Sequence, residues 1–205
     1  MTEVLYICAS PRGEQSAAVQ AANVFTDALA DSVSLTELNL FTCNLPEYTS
    51  VLTNAKQKIM TAAELSPDEA NEWTRVTELV DQFLNADHVL IALPMWNFSI
   101  PYKFKQYIDL LTHPGLTFQI DKDGPRGIGS ASGTIIYSRG GDYSPKDGQP
   151  DPFDFQSPYV KAWAALVGIS PLNEVLVQGT LAGPDAQAEA IGRASQNLKE
   201  LAARV

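Results

Sequence analysis

Short apolar runs alternate along the chain with stretches in which apolar residues recur every three or four positions. The runs predict five strands, at residues 4–8, 33–40, 89–93, 134–137 and 175–177. The stretches predict five helices, which begin near residues 19, 67, 101, 160 and 184. The run at 33–40 changes phase at Glu37, which is typical of an irregular or an edge strand. Five strands alternating with five helices predict a parallel sheet with helices on both faces.

The clearest helix start lies at Ser66. Pro67 follows it, and Glu69 stands at the third helical position. A hydroxyl at the N-cap, a proline in the first turn and a glutamate that bonds back to the N-cap amide form a capping box. The sequence therefore predicts that a helix begins at residue 67.

Two connections are too long to be plain turns. They span residues 112–132 and 139–156, and they carry aromatic residues that include Phe118 and Tyr143. Loops of this length in a compact domain are usually functional or disordered, and a solvated linker would not need aromatic side chains. We therefore expect Phe118 and Tyr143 to contribute to a substrate-binding surface.

Composition and charge narrow the class of protein. The chain has 205 residues, which suits one domain over residues 1–205, and a net charge of −10. An acidic chain repels nucleic acid and anionic lipid, but backbone amides can still hold a phosphate. No run approaches the ~20 apolar residues of a membrane span, so we expect a cytoplasmic protein. Cys8 and Cys43 match neither a CxxC nor a zinc pattern and are interpreted as buried thiols.

The residues that follow each strand are the candidates for chemistry, because ligands of an open parallel sheet bind at the carboxyl ends of its strands. After the first strand, Ser10 and Ser16 flank a short loop that leads into a helix, which is typical of an anion cradle. The alternative is an ordinary turn in which Ser16 caps the helix. The loop has neither a Walker A nor a GxGxxG pattern.

Residues 94–101, after the third strand, read PMWNFSIP. Two large aromatics between prolines offer the flat apolar wall that an isoalloxazine ring requires, although they would also serve to cap the core. Residues 138–143, after the fourth strand, contain Gly140 and Gly141, whose amides can approach a ligand closely. A flexible turn is the alternative there.

No residue set for covalent catalysis or metal binding is evident. Residues 129–133 have Ala131 at their centre, so they do not form a GxSxG elbow. His88 begins a strand and His113 follows a helix. Each is interpreted as a structural or an exposed histidine and not as a base, with His113 a minor candidate for shaping the acceptor slot. Glycine and proline interrupt Asp121, Asp123 and Asp142, so no metal is expected.

These three segments resemble the FMN-dependent NADH:quinone reductase and azoreductase family, and the likeness extends over nearly the whole chain. The resemblance implies a flavodoxin-like fold of sheet order 2-1-3-4-5 and a homodimer with the site near the subunit interface. It implies FMN contacts at Ser10, Ser16, Ala17 and Ala18 for the phosphate, at Met95, Trp96, Asn97 and Phe98 for the ring and ribityl chain, and at Ser138, Arg139, Gly140 and Gly141 for the other ring edge. Relatives often carry polar side chains just after the position of Ser16, whereas Ala17 and Ala18 leave only backbone donors.

The mechanism expected from this resemblance is ping-pong. NADH or NADPH delivers hydride to flavin N5, and a small aromatic acceptor, such as a quinone or an azo compound, then takes two electrons. No protein nucleophile is required. Arg12, Arg126 and Arg139 are each able to meet a phosphate, so the choice between NADH and NADPH stays open. The alternatives are a flavodoxin-type electron carrier without small-molecule turnover and a phosphodiester hydrolase, for which no nucleophile or metal cluster is present in the sequence.

Overall fold

The computed structural model describes the whole chain, Met1–Val205. The strands are β1 (Thr2–Cys8), β2 (Val33–Asn39), β3 (His88–Pro94), β4 (Phe118–Asp121), β5 (Gly124–Gly127), β6 (Ser132–Arg139) and β7 (Leu172–Gln178). The α-helices are α1 (Ala17–Thr26), α2 (Ser50–Met60), α3 (Pro67–Leu84), α4 (Tyr102–Leu111), α5 (Ser157–Val167) and α6 (Pro184–Ala202). None of these helices combines the length and the apolarity that a membrane crossing requires.

Five strands form one parallel sheet, as predicted, in the order β2-β1-β3-β6-β7. The predicted order 2-1-3-4-5 is wrong in chain numbering, because β4 and β5 lie between the third and fourth strands of the sheet. They form a separate antiparallel hairpin in which Phe118 pairs with Gly127. Its tip is an Asx turn, in which the Asp123 amide donates to Asp121 Oδ1 at 2.8 Å. The fourth and fifth strands predicted from the apolar runs lie within β6 and β7.

One helix, α2, was missed by the sequence pattern, which indicated turns around Pro46. Thr49 caps it by accepting a hydrogen bond from the Leu52 amide at 3.4 Å. Only Leu52 and Ala55 of this helix are buried. So narrow an apolar stripe gives little periodicity to detect.

Two cores lie on opposite faces of the sheet, because successive side chains of a strand point to opposite sides. Leu5 and Ile7 of β1 pack on the face covered by α2, α3, α4 and α5. Val4, Tyr6 and Cys8 pack on the face covered by α1 and α6. Burial on both faces accounts for the continuous apolar runs of β1, β3 and β6.

The capping box at the start of α3 is confirmed. Ser66 Oγ accepts from the Glu69 amide at 3.4 Å, and Glu69 Oε2 accepts from the Ser66 amide at 2.7 Å. Lys58 adds an ion pair to the same carboxylate at 2.7 Å. The Lys58 ammonium and the Ser66 amide hold the pKa of Glu69 below its usual value.

Candidate functional site

The three predicted segments converge where the carboxyl ends of β1, β3 and β6 lie side by side. The Ala9 amide donates to the Ala92 carbonyl at 3.0 Å, and the Met95 amide donates to the Ser138 carbonyl at 2.8 Å. The chain after β1 turns to α1 on one face, and the chain after β3 turns to α4 on the other. Connections that diverge in this way leave a crevice at the sheet edge.

The start of α1 forms one end of the crevice and offers donors for an anion. Ser16 is the N-cap, but its side chain makes no capping hydrogen bond. The amides of Ala17, Ala18 and Val19 therefore have no acceptor within the protein, and all three residues are buried. A buried amide left unpaired costs about 1–3 kcal/mol, so a phosphate placed here would satisfy several donors at once. Ser10, also buried, lies beside this loop and accepts from the Arg12 amide at 3.4 Å.

A tight turn after β3 forms the middle of the crevice. The Trp96 amide donates to the Ser99 carbonyl at 3.0 Å, and the Ser99 amide donates back at 2.9 Å. Asn97 and Phe98 have φ values of 48° and 69°, the conformation of a type I′ turn. Asparagine tolerates this region, but a bulky residue such as phenylalanine costs about 1–3 kcal/mol there.

Contacts from the loop after β6 hold Phe98 in this strained conformation. The Phe155 amide donates to the Phe98 carbonyl at 3.1 Å. The Phe98 ring lies 5.2 Å from that of Phe153 and 6.3 Å from that of Tyr143. Strain of this kind persists when neighbouring structure imposes it, and it is frequent at binding sites.

Trp96 belongs to an aromatic cluster that the sequence did not reveal in full. Its ring centroid lies 5.8 Å from Phe41 and 6.3 Å from Tyr102, and Phe41 is 5.8 Å from Tyr102. Phe41 was missed, although it follows the carboxyl end of β2 and the same rule of position would have found it. The three rings are tilted or edge-on to one another, and together they supply an apolar aromatic surface beside the loop that follows β1.

Backbone amides line the third side of the crevice, after β6. Gly140 and Gly141 use their carbonyls to accept from Leu181 and Gly179, while the amides of Gly140, Gly141 and Asp142 have no intramolecular acceptor. A Cβ atom on Gly140 would lie 2.4 Å from Leu181 Cδ1. Glycine therefore leaves room for the Leu181 side chain at this position, and the free amides can bond to the polar edge of a ring.

The structure places the side chain of Arg139 inside the protein and not in the crevice. The residue is 1% exposed, and its guanidinium bonds to Gln156, Gln178 and Asp154. Its carbonyl accepts from Thr180. The guanidinium of Arg139 is thus committed to partners within the protein.

The two predicted substrate residues lie far apart. Tyr143 packs against the Trp96 turn through Phe98 and donates its amide to Gln178 Oε1 at 3.0 Å. Phe118 pairs with Gly127, which abuts Gly168 just beyond the end of α5. The crevice adjoins the other end of this helix, so the structure does not bring Phe118 to the crevice of its own chain.

Neither histidine lies in the crevice. His88 lies at the amino end of β3, which is the end of the sheet opposite the crevice. Its Nδ1 is 2.7 Å from Ser132 Oγ and its Nε2 is 3.1 Å from Thr134 Oγ1. His113 is buried 5.0 Å from the Trp73 ring, and both of its ring nitrogens lack a partner. Burial lowers the pKa of each histidine to about 4, with the charge of Lys56 contributing at His113.

Comparison with known proteins identifies the family. The profile of the flavodoxin-like fold family matches residues 2–202. FMN-dependent NADH:quinone oxidoreductase 3 of Pseudomonas fluorescens is 35% identical over 100% of this chain and 99% of its own length. The FMN-dependent NADH:quinone oxidoreductase of Nitratidesulfovibrio vulgaris is 36% identical over 95% of this chain and 97% of its own.

Solved structures agree with this assignment. The azoreductase of Bacillus anthracis has a TM-score of 0.88 and 27% identity, with both chains fully covered. An FMN-dependent NADH-azoreductase of the same organism, in complex with FMN, has a TM-score of 0.88 and 26% identity over 100% of this chain and 99% of its own. The chain therefore belongs to the flavodoxin-like family that includes the FMN-dependent NADH:quinone oxidoreductases.

Proposed function

We propose that this protein is an FMN-dependent oxidoreductase that uses NADH, or NADPH, to reduce quinones and aromatic azo compounds by a ping-pong mechanism. One observation carries the proposal: unpaired buried amides, an aromatic wall and a second set of free amides follow one another along the crevice. These are the donors and surfaces that a phosphate, a flavin ring and its pyrimidine edge require. Relatives named for this activity support the choice.

Each of three parts of the cofactor has a matching set of residues. Ser10, Ser16, Ala17 and Ala18 would hold the phosphate, and the last two would act through their amides alone. Met95, Trp96, Asn97 and Phe98 would contact the ring and ribityl chain. Ser138, Gly140 and Gly141 would meet the other ring edge, while Arg139 would support them from within. When bound, FMN supplies the two-electron chemistry, taking hydride from the nicotinamide and passing electrons to the acceptor.

The protein's own contribution is to bind, orient and exclude water. The hydrogen bond from Phe155 to the Phe98 carbonyl fixes the Trp96 turn before any ligand arrives, so little ordering remains for binding to accomplish. Tyr143 and Phe98 offer flat apolar contact to an acceptor, and such contact discriminates weakly between ring systems. An enzyme that accepts both quinones and azo compounds is consistent with a slot of this kind.

A homodimer is part of the proposal. Phe98, Phe153, Phe155 and Tyr102 are 44–62% exposed around the mouth of the crevice, and exposed aromatics in one place mark an interaction surface. In a dimer, Phe118 of one copy would be able to contact the crevice of the other copy, since this residue is remote from the crevice of its own chain. One flavodoxin-like domain over residues 1–205, in the cytoplasm where NADH is formed, completes the proposal. Sedimentation equilibrium measures the mass in solution. A mass twice the 22.2 kDa of one chain would support the dimer, and the mass of a single chain would contradict it.

Cofactor binding tests the proposal directly. The purified protein should take up FMN with quenching of flavin fluorescence, and Trp96→Ala should weaken binding by about tenfold or more because a stacking aromatic is lost. Tyr48→Ala is the matched control, since it removes an exposed aromatic outside the three segments. Failure of the wild-type protein to take up FMN would contradict the proposal. Equal affinity of Trp96→Ala would contradict the role of Trp96.

A further inference from the structure

Arg139 stands at the centre of a buried polar network behind the crevice. Its Nε donates to Gln156 Oε1 at 3.1 Å, its Nη1 donates to Gln178 Oε1 at 3.4 Å, and its Nη2 lies 3.0 Å from Asp154 Oδ2. The guanidinium also lies over the rings of Tyr137 and Tyr143, 5.3 Å and 5.9 Å from their centroids. Three nitrogens thus reach three different side chains, which the planar fork of arginine allows and a lysine does not.

One arm of the network holds the first half of the loop after β6. Gln178 Oε1 accepts from the Tyr143 amide at 3.0 Å as well as from Arg139. Gln178 Nε2 donates to Asp142 Oδ1 at 3.0 Å and to Ser144 Oγ at 2.9 Å. These bonds fix residues 142–144, which continue directly from Gly140 and Gly141. The free amides at the ring edge are therefore placed from behind.

The other arm holds the second half of the same loop. Asp154 Oδ1 accepts from the Gln156 amide at 3.1 Å and the Ser157 amide at 2.9 Å, which fixes the start of α5. Gln156 Nε2 donates to the Leu93 carbonyl at 3.3 Å on β3. Phe155 lies between them, and its amide bonds to Phe98 of the Trp96 turn. This arm therefore supports the strained turn.

The charges of the network are matched, which keeps it together in the interior. Arg139 is 1% exposed at its side chain and Asp154 11%. Burial opposes ionisation of Asp154, but the hydrogen bonds from Ser157 and the charge of Arg139 hold the pKa of this carboxyl below its usual value. A buried ion pair stabilises a protein little by itself, but removing one partner leaves the other charge buried and unpaired. Both arms of the network therefore depend on Arg139.

We propose that Arg139 is a positioning residue that couples the two walls of the flavin crevice and touches neither the cofactor nor the substrate. The inference rests on the proposed function. It assigns the side chain to the support of the ring-edge amides and the Trp96 turn, and not to a phosphate of FMN or of the nicotinamide cofactor. The phosphate end, at the start of α1, is independent of the network.

The affinities for FMN and for riboflavin distinguish a positioning role from a phosphate contact and from a purely structural role. Arg139→Met should weaken FMN and riboflavin by the same factor, about tenfold or more, because ring contacts are lost and phosphate contacts are kept. The ratio of the two affinities therefore stays at its wild-type value. If FMN affinity fell more than riboflavin affinity, Arg139 would contact the phosphate. If neither affinity changed in a folded variant, Arg139 would have a purely structural role. Either result overturns the proposal.

Single-arm variants and a conservative variant guard against misfolding. Gln178→Met cuts one arm and Gln156→Met the other without removing a charge, so their effects on flavin affinity should each be smaller than that of Arg139→Met. Arg139→Lys keeps a cation beside Asp154, so it should keep the fold but not restore affinity. Full rescue by lysine would overturn the role of the fork. Arg204→Met, which removes an exposed arginine beyond the end of α6 and outside the network, is the matched control and should leave flavin affinity unchanged.

Hydrogen exchange keeps the test separate from the proposed function. In protein without FMN, the hydrogen-bonded amides 143–144 and 155–157 should exchange about tenfold faster in Arg139→Met, while α1 and α6 keep wild-type rates. Uniform acceleration, or none, would contradict the positioning role. Failure of the wild-type protein to bind FMN would sink the proposed function and leave this measurement intact.

Discussion

His88 and His113 are both almost fully buried, but their ring nitrogens meet different surroundings. The ring of His88 lies between the hydroxyls of Ser132 and Thr134, and that of His113 finds no partner. An unpaired buried polar group costs free energy, so replacing it with an apolar side chain of similar size is neutral or stabilising. Removing a paired group strands its partners.

The two histidines should therefore respond in opposite ways to the same substitution. His88→Leu should lower the free energy of unfolding by about 1–3 kcal/mol, because the buried Thr134 hydroxyl loses its partner. His113→Leu should leave it unchanged or raise it. Urea denaturation near neutral pH measures both, and a large loss in His113→Leu would contradict the missing partner.

Acid should destabilise the protein through the same residues. Burial lowers the pKa of each histidine from 6.5 to about 4, so between these values the unfolded chain binds protons that the folded protein does not. Stability is thus fully present above pH 6.5 and falls as the pH falls towards 4, by about 3 kcal/mol per histidine. In His113→Leu the slope of stability against pH should be smaller over this window. An unchanged slope would show that His113 titrates normally in the folded protein.

Residue types and positions predicted which segments meet at the candidate site. Ser10, Ser16, Trp96 and Gly140 follow strands whose carboxyl ends meet, and that rule needs only the order of elements. It does not reveal where a long side chain turns. Arg139 follows the same rule, but its guanidinium folds back to Gln156, Gln178 and Asp154, which lie 15–39 positions away in the chain.

At the scale of elements, α1 bears most directly on cofactor binding. Its first amides are buried and unpaired, and the Ser16 side chain leaves them free. By contrast, Thr49 caps α2 with its hydroxyl. A helix start that is left uncapped inside a crevice is suited to an anion from outside the chain.

Ser16→Asp should separate folding from binding at this helix. An aspartate N-cap bonds to the amides itself, so the free energy of unfolding should stay constant or rise by up to about 1 kcal/mol. The same carboxylate repels the phosphate, so FMN affinity should fall by about tenfold or more while riboflavin affinity changes little. Thr49→Asp is the control and should affect neither ligand. Equal FMN affinity in Ser16→Asp would show that the phosphate lies elsewhere.

The elements that escaped prediction share one physical property, a lack of buried apolar surface. The helix α2 buries two residues, and Gln119, Ile120 and Asp121 of β4 are exposed. Periodicity detects only what the core selects. The hairpin is held by strand pairing and an Asx turn, and neither of these requires a repeat of apolar residues.

For the whole molecule, the sheet brings distant segments to one edge. Residues 10–18, 94–101 and 138–143 lie far apart in the chain, and parallel pairing of β1, β3 and β6 makes them neighbours. The central strands β1, β3 and β6 were predictable because burial on both faces leaves continuous apolar runs. The chain numbering of the sheet was not, because the intervening hairpin gives no apolar run of its own.

Rapid mixing of the FMN-loaded protein with NADH in the absence of oxygen tests the central claim most directly. The absorbance of oxidised flavin should disappear at least as fast as steady-state turnover, and one equivalent of quinone should restore it after the nicotinamide has left. This outcome would establish an oxidoreductase with two separable half-reactions. Bound flavin that NADH does not bleach would contradict the account and leave an electron carrier in its place.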